Sequence, residues 1–299
     1  MAGVRDYLAA TRPWSFPMSL IAVASGALYA WWLGGSIEAY PVLLALVGVV
    51  LLHAAANLYN DYFDALSGVD RPGSGTVTYR LHPIVHGLMT PKGLLGASTA
   101  LAVSGLALGA LIASAVGPLP ILLGLAGAVL AVEYTGPPLR LKYTGLGEAA
   151  VLAAWSLMFA GGAAAATGRA GLGVLAASIP FTLLVVDVLL ANNIRDITTD
   201  SEAGVKTLAV RLGWARSVRL HKALIALAYI LLVLEASAGL LPWASLAALA
   251  SAPVAAGVYA MFDGGKAPPD ADPRAARLAL AFGLLLLAGI AGAVILQHL

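Results

Sequence analysis

Nine long apolar runs constrain the fold of this 299-residue chain more than any other feature of its sequence. Most have the length of a membrane-spanning helix, and none alternates apolar with polar residues as a β-barrel strand does. Because backbone polar groups must be satisfied inside the hydrocarbon layer, the pattern predicts an all-α membrane protein. We expect nine transmembrane helices in one bundle, forming a single domain over residues 1–299. The runs lie near residues 14–33, 40–60, 93–116, 119–134, 148–167, 172–194, 222–238, 242–262 and 278–296.

The composition agrees with a lipid bilayer as the partner and excludes several classes of function. Only 11% of the residues are charged and 60% are hydrophobic, whereas an average soluble domain has about 25% charged residues. The net charge of +2 and the lack of a basic block argue against a nucleic-acid partner. The chain has no cysteine, which excludes disulfides, thiolate catalysis and zinc–thiolate sites.

Lysine and arginine residues indicate how the chain lies in the membrane. All of them except Arg169 fall before the first run or in the segments that follow the second, fourth, sixth and eighth runs. Because positively charged loops stay in the cytoplasm, we expect a multi-pass protein of the cell membrane with its amino terminus inside. With nine spans, the carboxyl terminus lies outside. The three long cytoplasmic segments hold most of the polar functional groups.

Two acidic clusters stand at the cytoplasmic ends of predicted spans. The motif Asn-Leu-Tyr-Asn-Asp-Tyr-Phe-Asp at residues 57–64 closes the second run, and its acids share a narrow helical sector with His53. The motif Asn-Asn-Ile-Arg-Asp-Ile-Thr-Thr-Asp at residues 192–200 closes the sixth run, with its first asparagine and its two acids one turn apart. Carboxylates at the end of a membrane helix are costly unless they meet water, a cation or a partner.

The four carboxylates of these motifs indicate a metal site, because they repel one another unless cations intervene. Mg²⁺ prefers oxygen ligands and substrate phosphates, so a magnesium-bridged diphosphate would fit between the clusters. Such a site stabilises a leaving diphosphate; if the diphosphate carries an allylic isoprenoid, C–O cleavage leaves a carbocation that the apolar bundle protects from water. The predicted catalytic and metal-binding residues are Asp61, Asp64, Asp196 and Asp200, with Arg80, Lys142, Arg195 and Lys206 as phosphate contacts.

Several other polar residues allow more than one interpretation. His53 is either a packing residue or an acceptor-side group. Asp187 lies inside the sixth run and is either functional or paired with a polar group on a neighbouring helix. Glu133 and Tyr134 end the fourth run at the cytoplasmic level and are expected to line the pocket. The tract at residues 266–274 is interpreted as an ordinary turn.

The two acidic motifs resemble the aspartate-rich motifs of the UbiA superfamily of intramembrane prenyltransferases. The opening Arg-Pro-Trp-Ser-Phe at residues 12–16, the segment 134–148 and the segment 206–213 are similar to the same family. Together these matches extend from residue 12 to about residue 213. The resemblance implies a nine-helix bundle whose central cavity binds a polyprenyl diphosphate through Mg²⁺. Above it would lie a cytoplasmic cap of loops and short helices, formed by segments of about 61–92, 134–147 and 195–222.

The resemblance also implies roles for residues by their position in the motifs. Asp61 and Asp64 would serve one magnesium ion and Asp196 and Asp200 a second, so that two ions bridge the diphosphate. Tyr134 resembles the tyrosine of the family's cap. The complete predicted substrate-binding set is Asn57, Asn60, Arg80, Tyr134, Lys142, Asn192, Asn193, Arg195 and Lys206.

Departures from the family pattern bear on the acceptor. Many members that prenylate 4-hydroxybenzoate have a further Asp four residues after Asp64, where this chain has Gly68. Asp70 instead resembles the branch that prenylates 1,4-dihydroxy-2-naphthoate on the way to menaquinone. His82 stands in place of the arginine in an Asn-Arg-Pro motif, and Arg80 is the candidate to substitute for that arginine. The resemblance thus implies Mg²⁺-dependent transfer of a polyprenyl group to an aromatic quinone precursor, 1,4-dihydroxy-2-naphthoate, through an allylic carbocation.

Other functions stay open at this point. The acceptor could instead be 4-hydroxybenzoate or geranylgeranylglyceryl phosphate. In a different class, the acids could bind the coupling ion of a secondary transporter, although such sites lie near the bilayer midplane and these acids lie at one face. A phospholipid alcohol phosphotransferase is disfavoured because its Asp-Gly…Ala-Arg pattern is missing. We expect Asp61→Ala or Asp196→Ala to abolish prenyl transfer while leaving the protein folded.

Overall fold

A computed structural model describes residues 4–34, 37–73, 77 and 80–299 of the chain. Within these residues each predicted apolar run contains helix, and no strand is formed. Short 3₁₀ helices occur at Pro13–Ser15, Leu141–Thr144 and Trp243–Ser251. The α-helices are α1 Val4–Ala10, α2 Phe16–Trp32, α3 Ala39–Leu66, α4 Pro91–Val116, α5 Leu119–Glu133, α6 Gly147–Thr167, α7 Leu172–Arg195, α8 Ile197–Glu202, α9 Leu208–Leu212, α10 Trp214–Ser237, α11 Ala252–Tyr259 and α12 Ala271–Gln297.

Six of the described helices are long and apolar enough to cross a membrane, namely α3, α4, α6, α7, α10 and α12. Helices α2 and α5 are shorter, at 17 and 15 residues. The eighth predicted run is divided between the 3₁₀ helix Trp243–Ser251 and α11. The prediction of an all-α membrane protein is therefore confirmed, whereas six helices rather than nine reach the length and hydropathy of a span.

Helix α7 forms the centre of the bundle. Of its most apolar 18-residue window, 72% is buried, the largest share among the six membrane-length helices. Helices α6, α10 and α12 all pack against it. The side chains of Phe159, Phe181 and Phe282, from α6, α7 and α12, are at most 1% exposed. Because lipid is as apolar as these side chains, close packing rather than escape from water holds such helices together.

Two glycines allow α2 and α6 to cross at backbone contact. A Cβ added to Gly26 would lie 1.8 Å from the carbonyl oxygen of Phe159, and one added to Gly162 would lie 1.9 Å from that of Val23. Any side chain at either position would push the helices apart. This crossing fixes the position of α2, which faces the polar sector of α3.

Buried hydrogen bonds settle how two ambiguous polar residues are accommodated. His53 Nδ1 lies 2.6 Å from Ser19 Oγ, a contact that joins α3 to α2. Asp187 Oδ1 lies 2.6 Å from His221 Nδ1, which joins α7 to α10. The other ring nitrogen of His221 lies 3.0 Å from the Val258 carbonyl oxygen in α11. Both pairs give polar groups inside an apolar bundle a partner, although the second carboxylate oxygen of Asp187 is buried without one among the described residues.

Candidate active site

A cavity of about 800 Å³ connects the acidic ends of α3 and α7 with the apolar interior. Side chains of α4, α5 and α6, among them Leu106, Leu123 and Met158, form its apolar wall. A pocket of this size suits a ligand with one polar end and one apolar end. The polar part of the lining consists of Arg12, Ser15, His53, Asn57, Asn60, Asp64, Arg80, Tyr134, Lys142, Asn192, Asn193, Asp272 and Arg277.

Asp61 is the most deeply buried acid of the first cluster, with no exposed surface. The guanidinium group of Arg80 donates two hydrogen bonds to it, of 2.9 Å to Oδ2 and 2.6 Å to Oδ1. The guanidinium group of Arg12 also forms an ion pair with Oδ1. Bidentate arginine–carboxylate pairs are among the strongest charged hydrogen bonds, so Asp61 anchors two segments that are distant in sequence.

Asp64 carries a second set of partners from the segment after α5. Lys142 Nζ donates a hydrogen bond of 2.8 Å to Asp64 Oδ2, and the Tyr143 hydroxyl donates to Oδ1. Burial lowers the pKa of Lys142, but the charge of Asp64 outweighs it and raises that pKa above its ordinary value. Lys142 is thus a fully charged ammonium group in the wall of the cavity.

Asp70 and His82 form a buried pair beside Asp61. One ligand atom from each of these three residues lies within 4.8 Å of the others, a spacing that suggests a metal site. However, His82 Nδ1 accepts hydrogen bonds of 3.2 Å from the backbone N–H groups of Ile84 and Val85. The ring hydrogen must therefore sit on Nε2, which lies 3.3 Å from Asp70 Oδ2. With its hydrogen on Nε2, His82 has no free nitrogen lone pair to offer a metal, although Nε2 and Asp70 Oδ2 are both buried without a hydrogen-bond partner in the described part of the chain.

The residues around Asp70 determine its protonation state. Burial raises the pKa of its carboxyl, but the nearby Nε2–H group of His82 and the positive charge of Lys142 hold that pKa below its ordinary value. Asp70 is therefore ionised at neutral pH. His82 is fully buried, and its Nε2 atom lies 3.3 Å from Asp70 Oδ2 beside the first cluster.

The second cluster lies at the junction between α7 and α8. Arg195 donates hydrogen bonds of 2.8 and 2.7 Å to the two carboxylate oxygens of Asp196. The same guanidinium group bonds Asn192 Oδ1 at 2.8 Å and forms an ion pair with Asp272 in α12. Backbone hydrogen bonds continue across the junction, from Asp196 N to the Asn192 carbonyl and from Asp200 N to the Asp196 carbonyl. The predicted helical spacing of these residues is therefore preserved.

The pKa of Asp200 depends on charges from both clusters. Burial raises the pKa of its carboxyl to about 6, Lys142 opposes this shift, and Asp196 and Asp64 add to it by charge repulsion. Because charge interactions weaken with distance, Asp64 and Lys142 of the first cluster lie within electrostatic reach of the second. The structure thus brings together two motifs that are separated by more than a hundred residues in sequence.

Two asparagines in the cavity wall present their carbonyl oxygens to a ligand. Asn57 Nδ2 donates hydrogen bonds to the Thr11 carbonyl at 2.8 Å and to Ser15 Oγ at 3.3 Å. Asn193 Nδ2 donates a hydrogen bond of 2.9 Å to Glu148 Oε1. With both amide nitrogens engaged by the protein, the Oδ1 atoms are the groups left for the cavity.

The donor set at the polar end fits Mg²⁺. Asn60 Oδ1 is buried and has no hydrogen-bond partner among the residues that the structure describes. It lines the cavity together with Asn57, Asn193 and Asp64. Carboxylate and amide oxygens are the protein ligands that Mg²⁺ accepts, alongside water and substrate phosphates. The orphaned oxygen of Asn60 is the kind of group that such an ion would satisfy.

The predicted site residues fall into two groups, those that line the cavity and those that lie outside its lining. Lys206 is exposed, and its carbonyl oxygen accepts a hydrogen bond from Arg211 Nε at 3.1 Å. The predicted residues that line the cavity are Asn57, Asn60, Asp64, Arg80, Tyr134, Lys142, Asn192 and Asn193. Those described residues that lie outside its lining are Asp61, Asp196, Asp200, Arg195 and Lys206, and all but Lys206 are connected to it through ion pairs or charge interactions.

Sequence reasoning missed three polar groups at this site. Asp272 was expected in an ordinary turn, but it lies in the first turn of α12, lines the cavity and binds Arg195. In the sequence, Asp272 could have been recognised as an acid that lies shortly before an apolar run long enough to span a membrane. Arg277 lies farther along the same helix and also lines the cavity. Glu148, at the start of α6, is buried and holds Asn193.

Comparisons with known proteins agree with this geometry. The profile described as the UbiA prenyltransferase family matches residues 19–282. UbiA prenyltransferase domain-containing protein 1 of Danio rerio is 32% identical over 238 residues, which cover 77% of this chain and 68% of that protein. The 1,4-dihydroxy-2-naphthoate octaprenyltransferase of Mycobacterium tuberculosis (strain ATCC 25618 / H37Rv) is 36% identical over 236 residues, covering 77% of this chain and 78% of that protein.

A solved structure shows the same fold. The structure of a UbiA homolog from Archaeoglobus fulgidus bound to GPP and Mg²⁺ superposes with a TM-score of 0.71 at 18% sequence identity. The match covers 97% of this chain and 99% of that one, so the likeness extends over the whole bundle.

Proposed function

Because the chain belongs to the UbiA prenyltransferase family and is a prenyltransferase, we propose that it transfers a polyprenyl group from polyprenyl diphosphate to an aromatic quinone precursor, 1,4-dihydroxy-2-naphthoate. One observation carries this proposal: a single cavity has acids, cations and amide oxygens at one end and an apolar wall at the other. A prenyl diphosphate has the same division between a charged head and an apolar tail. The 1,4-dihydroxy-2-naphthoate specificity of the mycobacterial relative supports the choice of acceptor.

The substrate would lie with its diphosphate at the polar end and its tail along α4, α5 and α6. Asp61, Asp64, Asp196 and Asp200 would hold two magnesium ions, with the amide oxygen of Asn60 beside them. Bound Mg²⁺ neutralises the diphosphate oxygens and stabilises the charge that develops on them as the C–O bond breaks. The carboxylates hold these positions in advance, so little reorganisation accompanies the reaction.

The cations that now neutralise the acids have a second role in this mechanism. Arg80 and Lys142 both line the cavity and both contact carboxylates of the first cluster. When those carboxylates serve a divalent ion, the guanidinium and ammonium groups would turn to the phosphate oxygens. Arginine matches the planar spacing of two phosphate oxygens, whereas lysine acts as a point charge. Arg195 would hold Asp196 in place and contribute positive charge.

The apolar wall controls the fate of the prenyl cation. As the diphosphate leaves with the electron pair of the C–O bond, the allylic cation would be surrounded by side chains such as Leu189 and Met158. These side chains exclude water, which would otherwise capture the cation. A ring carbon of the acceptor would supply the electron pair for the new C–C bond. The same carbon would then lose a proton to the released diphosphate, or its carboxylate as CO₂, so that the ring becomes aromatic again.

The placement of the chain in the membrane is part of the same proposal. We propose nine transmembrane segments, in which α2, α5 and the segment 243–259 supplement the six longer helices, and a cytoplasmic cap formed by the three loop segments. The amino terminus would lie in the cytoplasm and the carboxyl terminus outside, because all lysines and arginines except Arg169 then face inward. Chain 1–299 would be one domain.

The test is a product analysis with purified protein. Incubation with geranylgeranyl diphosphate, Mg²⁺ and 1,4-dihydroxy-2-naphthoate, 4-hydroxybenzoate or geranylgeranylglyceryl phosphate, followed by mass spectrometry, should yield the prenylated naphthoate product. Excess chelator should abolish the product. Product from one of the other two acceptors alone would replace the acceptor assignment, and full activity in chelator would contradict the magnesium assignment. Substrate uptake into proteoliposomes without diphosphate release would instead indicate a transporter.

A further inference from the structure

Arg277 differs from the other cations in the cavity wall. Arg12 and Arg80 form ion pairs with Asp61, and Lys142 forms one with Asp64. Arg277 lines the same cavity, but no acidic group in the described part of the chain forms an ion pair with it. Its guanidinium group is therefore available to a ligand, although its charge also acts on the exposed Asp270 at the start of the same helix.

The position of Arg277 separates it from the metal-binding end. It lies five residues after Asp272 in α12, which corresponds to about 7.5 Å along the helix axis. Its neighbours in the cavity lining on α12 are Ala276 and Leu280, and α7 contributes Val188 and Leu189. The lining of α12 also contains the carboxylate of Asp272, so Arg277 is a positive charge between that acid and the apolar part of the wall.

The diphosphate end already has enough positive charge without Arg277. Arg12, Arg80 and Lys142 surround the first cluster, and Arg195 serves the second. Any divalent ion bound by the carboxylates adds to this charge. An additional arginine on α12 has a different use, because the second substrate also carries a charge. The three acceptors considered above share one anionic oxygen group, a carboxylate in two of them and a phosphate in the third.

We propose that Arg277 binds the anionic group of the acceptor and so orients the acceptor for attack on the prenyl cation. This inference rests on the proposed prenyl transfer and adds to it a specificity-determining residue. A guanidinium group can donate two parallel hydrogen bonds to a carboxylate or a phosphate, which fixes the orientation of the acceptor as well as its position. A lysine in its place provides charge without that geometry.

The experiment compares Arg277→Gln with a matched control, Arg274→Gln. Arg274 lies one turn earlier on the same helix, forms an ion pair of 2.9 Å with Asp270 and does not line the cavity. We expect Arg277→Gln to raise the KM for 1,4-dihydroxy-2-naphthoate at least about tenfold, the loss typical of a hydrogen bond between charged groups. The KM for geranylgeranyl diphosphate should stay unchanged. Arg277→Lys should recover part of the loss, and Arg274→Gln should behave as the wild type.

A comparison with an uncharged acceptor tests the inference most directly. Naphthalene-1,4-diol lacks the carboxylate, so Arg277→Gln should bind it as well as the wild type does. A parallel arm with geranylgeranylglyceryl phosphate distinguishes a phosphate from a carboxylate as the group that Arg277 recognises. An equal loss with the charged and uncharged acceptors, or a raised KM for geranylgeranyl diphosphate, would overturn the inference.

Binding measurements separate this inference from the proposed function. Trp14 and Trp155 line the cavity, so acceptor binding can be followed by quenching of tryptophan fluorescence without turnover. Tight binding by the wild type and at least about tenfold weaker binding by Arg277→Gln would support the inference even if no product formed. Equal binding by both proteins would refute it even if prenyl transfer were confirmed. Failure of the wild type to form product with any acceptor would refute the proposed function alone.

Discussion

The two acidic clusters end similar helices, yet the protein holds them in different ways. In the first cluster, Asp61, Asp64 and Asp70 are between 0% and 5% exposed. Their partners come from the segment before α2 and from the loops after α3 and α5. In the second cluster, Asp196 is 21% exposed, and its partner is the adjacent Arg195.

This difference indicates that the first cluster contributes more to the tertiary fold than the second cluster does. The first cluster joins three distant segments to the end of α3, so its carboxylates contribute to the tertiary fold before any substrate arrives. The second cluster is held by its own helix and by one contact to α12, so its carboxylates are less constrained. The same substitution should therefore have different consequences in the two clusters.

The largest effect should come from Asp61→Ala. This change removes the carboxylate from two arginines, Arg12 and Arg80, and we expect a loss of about 3–5 kcal/mol of stability as well as of prenyl transfer. The sequence alone led us to expect a folded variant, whereas the two ion pairs predict that the variant is destabilised. Thermal unfolding in detergent and product formation would be measured in parallel.

Asp196→Ala is the matched change in the second cluster. We expect at least about a hundredfold loss of prenyl transfer. The melting temperature should fall much less than in Asp61→Ala, because Arg195 retains Asp272 as a partner. Equal losses of melting temperature in the two variants would contradict the distinction between the clusters.

Lys142→Met should have the next largest effect, about a hundredfold on kcat/KM. The ammonium group faces both the cavity and Asp64, and Tyr143 would still hold that carboxylate. Steady-state kinetics with varied prenyl diphosphate would measure the loss. The control is Lys222→Met, which removes a lysine that is paired with the exposed Asp263 and does not line the cavity. A similar loss in both variants would argue against a phosphate contact.

A smaller effect is expected from Glu148, which holds Asn193 by its amide nitrogen. Glu148→Leu removes the acceptor, so Asn193 would lose its fixed orientation and transfer should fall about tenfold, with more Mg²⁺ needed for half-maximal rate. Glu148→Gln retains an acceptor oxygen and should stay close to the wild type. Titration of the rate with Mg²⁺ checks both variants, and identical curves would contradict the positioning role.

The smallest effect concerns the pH dependence of the metal-free protein. The pKa of Asp200 is raised from 3.8 to about 6, so the folded state favours its protonated form. The stabilisation is complete below pH 4 and is lost as the pH rises through 6, a change of about 1–2 kcal/mol after allowing for partial exposure. Thermal unfolding in excess chelator measures this, and Asp200→Asn should remove that part of the slope. An unchanged slope would contradict the assignment.

Much of this arrangement was predictable from residues that are close in sequence. The spacing within 57–64 and 192–200 predicted acids on one helical face, and the apolar runs predicted the helices that carry them. Predicting Asp272 as part of a turn was wrong because a short tract rich in proline gives no sign of which helix end it joins. Glu148 and Arg277 were missed because a single charged residue at the start of an apolar run has no distinctive local pattern.

The sequence by itself determined the all-helical membrane class, the two acidic motifs and the family, because hydropathy, helical period and motif spacing are local properties of the chain. Only the tertiary structure decided that Arg12 and Arg80 share Asp61, that Asp200 lies within reach of Lys142, and that Arg277 faces the cavity. These relations depend on how closely the helices cross, as at Gly26 and Gly162, and crossing geometry comes from packing between distant segments.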